Sequence, residues 1–246
     1  MDQNFRLTEP GGAGGVGDFV LKISNSEEDP RLLEAQIEAL TLLDREPGPL
    51  ETARVVSNRA GERWTREGPH PVWLVTWLDG MVLADLPDPS DELWSELGRG
   101  LGDLDRRLAH FDPPPARRTY AWDLRHAAEA LRFNEHIQDL AGRDVVRRRL
   151  EAFREDIAPL FPRLPLQVIH NEANDHNLLV RGEGPAARVA GLLDFGDLVW
   201  TARVCEAAIA ATYAMFETAD PAASGARVLA GYHEILGLER AEVRAV

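Results

Sequence analysis

The sequence predicts an α+β chain in two lobes, a small sheet-plus-helix lobe over residues 1–79 and a larger, mainly helical lobe over 80–246. Up to position 78 the apolar residues fall in short strand-like runs around one helix-period stripe. Beyond position 90 helix-period stripes dominate, and short apolar runs return only around 166–193. Between the two regions, LDGMVLADLPDPSDE shifts towards Asp, Pro and Gly and reads as a linker.

Residues 4–8 and 18–23 read as two strands joined by the Gly-rich EPGGAGGVG, hence a hairpin. Asp29 offers a helix cap with Pro30 at the first helical position. Leu32, Leu33, Ile37, Leu40 and Leu43 then form one apolar stripe that stops before Pro47 and Pro49. ARVVSN and PVWLVTWL, at 53–58 and 71–78, are further strands, with Trp73 and Trp77 on one core-facing side. Ser90 caps a helix with an acidic first turn, Asp91 and Glu92, which runs to about His110 and stops at PPP. Helical patterns follow near 123–140 and 143–157, strands at 166–169, 177–180 and 189–193, and helices at 203–218 and 220–236. Asp220 and Pro221 start the last of these.

The bulk numbers exclude several functions. The chain has 246 residues, 44% of them hydrophobic, enough for one large domain or two small ones. Its net charge of −14 argues against a non-specific nucleic-acid partner, which needs basic residues to replace counterions. It also disfavours an anionic membrane surface. A phosphorylated ligand needs only a few local donors and stays open. One cysteine, Cys205, allows no intrachain disulfide and fits a reduced cytoplasmic compartment. No apolar run approaches the ~20 residues of a membrane span, and MDQNFRLTEP lacks the pattern of a signal peptide.

GAGGVG at 12–17 matches the dinucleotide pattern G-x-G-x-x-G. That fingerprint has to follow a strand and open a helix, so that a helix N-terminus meets the pyrophosphate. Here the strand-like DFVLKI follows, so the stretch reads as a hairpin turn and an NAD-dependent oxidoreductase is the weakest reading. The histidines lack zinc-site spacing.

VIHNEANDHNLLV at 168–180 and GLLDFGD at 191–197 carry the chemistry. Each strand delivers an acidic residue to a loop. Phosphoryl transfer needs an aligned donor, neutralised phosphate charge and a base near the attacking hydroxyl. Glu172 would face that hydroxyl, and Asn177, five residues on, can turn its amide oxygen back to the same cavity. Asp194 would bind Mg²⁺, which takes hard oxygen ligands and phosphates. Asp197 either meets an amine on the acceptor or caps the next segment, and Asp175 shapes its loop. Asp123 reads as a helix cap, Glu206 as a solvated or paired side chain, and Cys205 as simply buried.

HNEANDHNLLV followed by GLLDFGD resembles the signature of the aminoglycoside phosphotransferase and choline kinase superfamily, whose fold is protein-kinase-like and bilobal. Within it the chain is most similar to hydroxylysine kinase-like phosphotransferases, with DQNFRL, FVLKIS, WDLRHA and VCEAAIAATYAM in support. The resemblance implies that Lys22 meets the phosphates of ATP or GTP. It places Gln36 where many relatives have Glu, with Glu34 and Glu38 nearby. It makes Thr76, Trp77 and Leu78 the purine-binding hinge, lets His170 brace the catalytic loop, and gives Mg²⁺ to Asn177 and Asp194. The superfamily usually has Asp where this chain has Glu172. The strand and phosphate flap expected before DQNF, and the helices expected after 237, are missing, so the chain reads as a fragment or part of a fusion with other domains. The expected function is therefore a small-molecule kinase acting on a hydroxyl of an amine-bearing acceptor. Its rival is a catalytically silent kinase-like module.

Overall fold

Asp29 starts the first helix as the sequence predicts. The computed structural model describes residues 2–8, 17–216 and 218–246. In it the Asp29 carboxylate accepts the Arg31 N–H at 3.0 Å at the head of α1, Pro30–Arg45. Leu33, Ile37, Leu40 and Leu43 are buried on one face, while Glu34 and Glu38 point outward. This helix packs on an antiparallel sheet of β1 (Gln3–Leu7), β2 (Phe19–Ile23), β3 (Val55–Val56), β4 (Trp64–Glu67) and β5 (His70–Thr76). The order is β1-β2-β5-β3, with β4 also on β5. Leu7 pairs with Phe19, so the expected hairpin partners do lie side by side. Residues 12–16 of the glycine-rich stretch lie outside the described residues.

The second lobe is built on α2 (Asp91–Leu108) and α5 (Pro221–Leu236). Ser90 accepts the Leu93 N–H at 3.3 Å, and Asp220 accepts the Ala223 N–H at 3.1 Å. Leu93, Leu97, Leu101, Leu104 and Leu108 form a buried stripe, each contributing ~1.5–3 kcal/mol by leaving water. The two helices touch backbone to backbone. A Cβ added at Gly98 would sit 2.0 Å from the Val228 carbonyl oxygen, and one at Gly231 would sit 2.2 Å from that of Ser95. Helix α3 (Leu140–Ala152) lies on the other side, α4 (Val204–Ala214) packs on α2 and α5, and α6 (Arg240–Val243) follows them in the chain.

Two small antiparallel sheets lie between the helices and the first lobe. One pairs β7 (Leu166–Ile169) with β10 (Val199–Ala202). The other has the order β6-β8-β9, formed by Met81–Val82, Leu178–Arg181 and Arg188–Leu192. Glu51 stitches the lobes together. Its N–H bonds the Ala190 carbonyl and its own carbonyl takes the Leu192 N–H, both at 2.9 Å, while its carboxylate pairs with Arg181. A side chain at Gly191 would press on the Glu51 carbonyl at 3.0 Å, so glycine is what allows this approach.

Several expectations shift. The linker is partly structured, because β6 joins the second lobe's sheet. β4 carries mostly exposed polar residues and has no apolar alternation to betray it. Residues 124–136 turn as 3₁₀ helix, and the pattern at 143–157 becomes α3 ending in a π turn at 153–157. Trp77 lies beyond the end of β5 and is half-buried under the Arg6 guanidinium, whereas Trp73 is buried as expected. No helix among the described residues is long and apolar enough to cross a membrane.

The α2–α5 contact leaves no room for a methyl group. Gly98→Ala and Gly231→Ala should each lower stability by about 1–3 kcal/mol, read from the urea midpoint at unchanged slope. A loss below a few tenths would show that the helices separate freely.

Candidate active site

Strand β7 ends at Ile169 and hands on His170, which is fully buried. Its Nδ1 accepts the Glu172 N–H at 3.2 Å, so the ring proton is on Nε2, which donates to the Leu193 carbonyl at 2.8 Å. Phe195 meets the ring edge-on at 4.8 Å between centroids. One imidazole thus joins the loop after β7 to the loop after β9. Asn171 has φ +69°, a left-handed conformation that Asn tolerates better than most residues. Its N–H is held by the buried Glu206 carboxylate at 2.9 Å.

Glu172 and Asn177 meet directly. The Asn177 Nδ2 donates to the Glu172 carbonyl at 3.0 Å and to its carboxylate at 3.1 Å. That spends the amide's donors on Glu172 and leaves its oxygen without a hydrogen bond among the described residues. The Leu193 N–H bonds the Asn177 carbonyl at 2.8 Å, which brings the second loop alongside. Asp194 has φ +54°, caps the 3₁₀ turn Phe195–Asp197, and accepts the Gly196 N–H at 3.1 Å. Its other oxygen lies 3.6 Å from the Lys22 Nζ. Lys22 sits mid-strand in β2, its side chain 13% exposed, with Nζ 5.3 Å from the Trp73 ring centre. Gln36 is buried on α1, but no hydrogen bond links it to Lys22 among the described residues. The lysine's ion-pair partner is therefore Asp194, with the Glu28 carboxylate also nearby, and not the helix position expected to serve it.

The set fits a divalent cation with hard ligands. The free Asn177 oxygen and the Asp194 carboxylate are one neutral and one anionic oxygen donor, the sparse set that Mg²⁺ uses when phosphates and water complete its shell. Burial raises the Glu172 carboxyl above the usual glutamate range, and the negative charges of Asp197 and Asp194 add to this against the Asn177 hydrogen bond. Burial likewise raises Glu206 and, with Glu206 beside it, Asp105, whose carboxylate takes the Tyr232 hydroxyl at 2.5 Å.

A cavity of about 390 Å³ opens beside Glu172, lined also by Asp197, Asn171, Trp122, Thr212 and Tyr213. Tyr213 also borders a larger cavity of about 810 Å³ that holds Asp85, Asp88 and Asp175. Both have acidic and aromatic walls. Thr76, Trp77 and Leu78 line a separate cavity of about 310 Å³ whose walls include neither Lys22 nor Asp194. The Thr76 and Trp77 N–H groups already bond the Arg54 and Asp18 carbonyls.

Two contributors, Arg118 and Tyr120, escaped the sequence reading, and the structure decides a third. Of the two readings of Glu206, solvated or paired, the structure takes the second: it is buried and holds the Asn171 N–H, and a lone acid inside the apolar VCEAAIAA was the available signal. Arg118 donates to the Gly196 carbonyl at 2.9 Å, and the Tyr120 hydroxyl donates to Asp197 at 2.5 Å. Both lie just before WDLRHA, but that string carries a resemblance alone and says nothing of their partners. Asp123 does cap its turn, accepting the Arg125 N–H at 3.0 Å, and it also takes the Thr201 hydroxyl at 2.7 Å.

The family described as "Phosphotransferase enzyme family" matches residues 2–245. The chain belongs to that family. This phosphotransferase is 28% identical over 266 residues to the hydroxylysine kinase of Mus musculus, covering all of this chain and 70% of that protein. Its fold matches an aminoglycoside phosphotransferase from Alicyclobacillus acidocaldarius with a TM-score of 0.66 at 15% identity, over 93% of this chain and 71% of the other. It also matches an amicoumacin kinase solved with AMP-PNP and Ca²⁺, with a TM-score of 0.65 at 14% identity, over 96% and 71% of the two chains. The chain thus has the protein-kinase-like bilobal fold of these kinases and is a member of a phosphotransferase enzyme family.

Glu206→Ala strips the Asn171 N–H of its partner in a buried place. It should cost the phosphotransferase about 1–3 kcal/mol, measured by denaturant unfolding, while Glu206→Gln, which keeps an oxygen acceptor, should cost less. Equal losses would mean that the hydrogen bond is unimportant.

Proposed function

We propose that the chain transfers the γ-phosphoryl group of ATP or GTP to the hydroxyl of a small amine-bearing acceptor, an amino alcohol of the hydroxylysine kind. The observation that carries this reading is the convergence of Glu172, Asn177, Asp194 and Lys22 at the junction of the lobes. Residues 1–79 form the nucleotide lobe in this reading and 80–246 the acceptor lobe. Lys22 steadies the donor phosphates. Asn177 and Asp194 hold Mg²⁺, which when bound neutralises phosphate charge. The purine lies against the backbone at the Leu78 end of the hinge, since the N–H groups of Thr76 and Trp77 are already used.

Glu172 accepts the proton of the attacking hydroxyl. The superfamily's usual Asp is one methylene shorter, and a ~1 Å misplacement can cost on the order of a hundredfold in rate. The Asn177 bond draws the longer side chain back towards its own loop and leaves the second carboxylate oxygen for the acceptor. Asp197 and the aromatic walls of the cavity suit an ammonium group on that acceptor. The mouse relative's named substrate, hydroxylysine, carries both an amine and a hydroxyl, which supports the class. The silent-module reading draws on the same Asn177 bond, because it ties up one carboxylate oxygen.

Nucleotide consumption with Mg²⁺ and a panel of amino alcohols separates the two readings. We expect acceptor-dependent turnover that falls at least about a hundredfold in Asp194→Ala, and no gain in Glu172→Asp. Nucleotide binding with no acceptor-dependent turnover, relieved by Glu172→Asp, would establish the silent module.

The pH dependence has a definite sign. A base raised by burial and neighbouring anions works only once deprotonated, so the acid limb of kcat/KM should lie above the ordinary glutamate range. Asp197→Asn removes a charge that raises Glu172 and should move that limb to lower pH. A limb that stays in place would remove Glu172 from the role of base.

A further inference from the structure

Residues 117–125 cross the outside of the metal-loop turn and the strand after it, and they grip both at successive points. Arg118 Nη2 donates to the Gly196 carbonyl at 2.9 Å and to the Leu198 carbonyl at 3.3 Å. The Tyr120 hydroxyl donates to Asp197 Oδ1 at 2.5 Å, and the Arg118 guanidinium stacks 4.1 Å above the Tyr120 ring. Further along, Arg117 lies 3.8 Å above the Trp200 ring, Arg125 donates to the Trp200 carbonyl at 2.9 Å, and Asp123 takes the Thr201 hydroxyl. The segment is a strap over 195–201.

Gly196 is the point where the strap reaches the site. Its N–H is on Asp194 Oδ1 and its carbonyl is on Arg118. The carbonyl and the N–H belong to the two peptides that meet at Gly196, so fixing the one after it restricts the one before it, whose N–H orients the Asp194 carboxylate; the Asp194 backbone itself sits in the unfavourable left-handed region. Tyr120 acts at the other end of the turn. It occupies one oxygen of Asp197, a residue that lines the acceptor cavity. Burial and the Asp197 charge keep the phenol protonated, hence a donor, through neutral pH.

We infer that Arg118 and Tyr120 are positioning residues with separate duties: Arg118 sets the metal-binding Asp194 through Gly196, and Tyr120 sets the acceptor-facing Asp197. The inference rests on the phosphotransfer reading of the site. Arg118→Met keeps the stem over the Tyr120 ring and deletes both donors. Tyr120→Phe deletes only the hydroxyl. A lost charge-assisted hydrogen bond corresponds to on the order of a tenfold change.

In the full chain, Arg118→Met should raise the Mg²⁺ concentration for half-maximal rate about tenfold, with acceptor KM within about twofold. Tyr120→Phe should do the reverse, raising acceptor KM several-fold at an unchanged Mg²⁺ requirement. Arg118→Lys, which keeps one donor, should fall between wild type and Met, and it carries the test if the Met variant does not fold. Amide hydrogen exchange at residues 195–198, measured without nucleotide, should speed up in both Arg118 variants at nearly unchanged melting temperature. If the two parameters shift together in proportion to lost melting temperature, or exchange stays at the wild-type rate, the strap is merely structural and the inference is overturned. A wild-type chain that turns over nothing defeats the phosphotransfer reading instead, while the exchange measurement still decides whether Arg118 holds the turn.

Discussion

His170 accepts from the Glu172 N–H and donates to the Leu193 carbonyl, and on that pair of hydrogen bonds the rest of the site depends. The two loops come from separate strands, and neither could hold its conformation alone. Asn171 and Asp194 both adopt left-handed backbone angles, each costing of order 1–3 kcal/mol. Such conformations persist only where surrounding contacts over-determine them. Here the imidazole, the Glu206 carboxylate and the edge of Phe195 supply those contacts from buried positions where water does not compete.

The charge arrangement follows from the same geometry. Burial raises the Glu172 carboxyl, and the nearby charges of Asp197 and Asp194 add to it. Lys22 answers Asp194 from the opposite lobe across 3.6 Å, and Tyr120 answers Asp197. A site with this balance keeps a local excess of negative charge, which a bound cation would relieve. The chain's overall charge of −14 points the same way only weakly; the local placement decides.

The helical lobe serves as the rigid base. Glycines at 98 and 231 let α2 and α5 meet at backbone contact, and α4, packed against both, presents Glu206 to the loop after β7. On the other side, Gly191 lets Glu51 bond directly to β9, so the first lobe is anchored next to the strand that leads to Asp194. Small residues thus bring together elements that carry long functional side chains.

Much of this was legible in the chain itself. The capped helices at Asp29, Ser90 and Asp220 start where their side chains accept backbone N–H groups, a local interaction that needs no tertiary partner. The spacing of Glu172 to Asn177 is also local, because a five-residue loop returns the amide to its own start. Other features are set by contacts between residues distant in sequence. Strand β4 is held by pairing rather than by an apolar pattern, Lys22 meets Asp194 and not Gln36, and Glu206, Arg118 and Tyr120 act across separations of 35 to 78 positions. Short-range periodicity and capping determine which segments are helix, strand or loop. Which buried polar groups find each other depends on how those segments pack, because an unpaired group away from water must be satisfied by whatever partner the fold brings near.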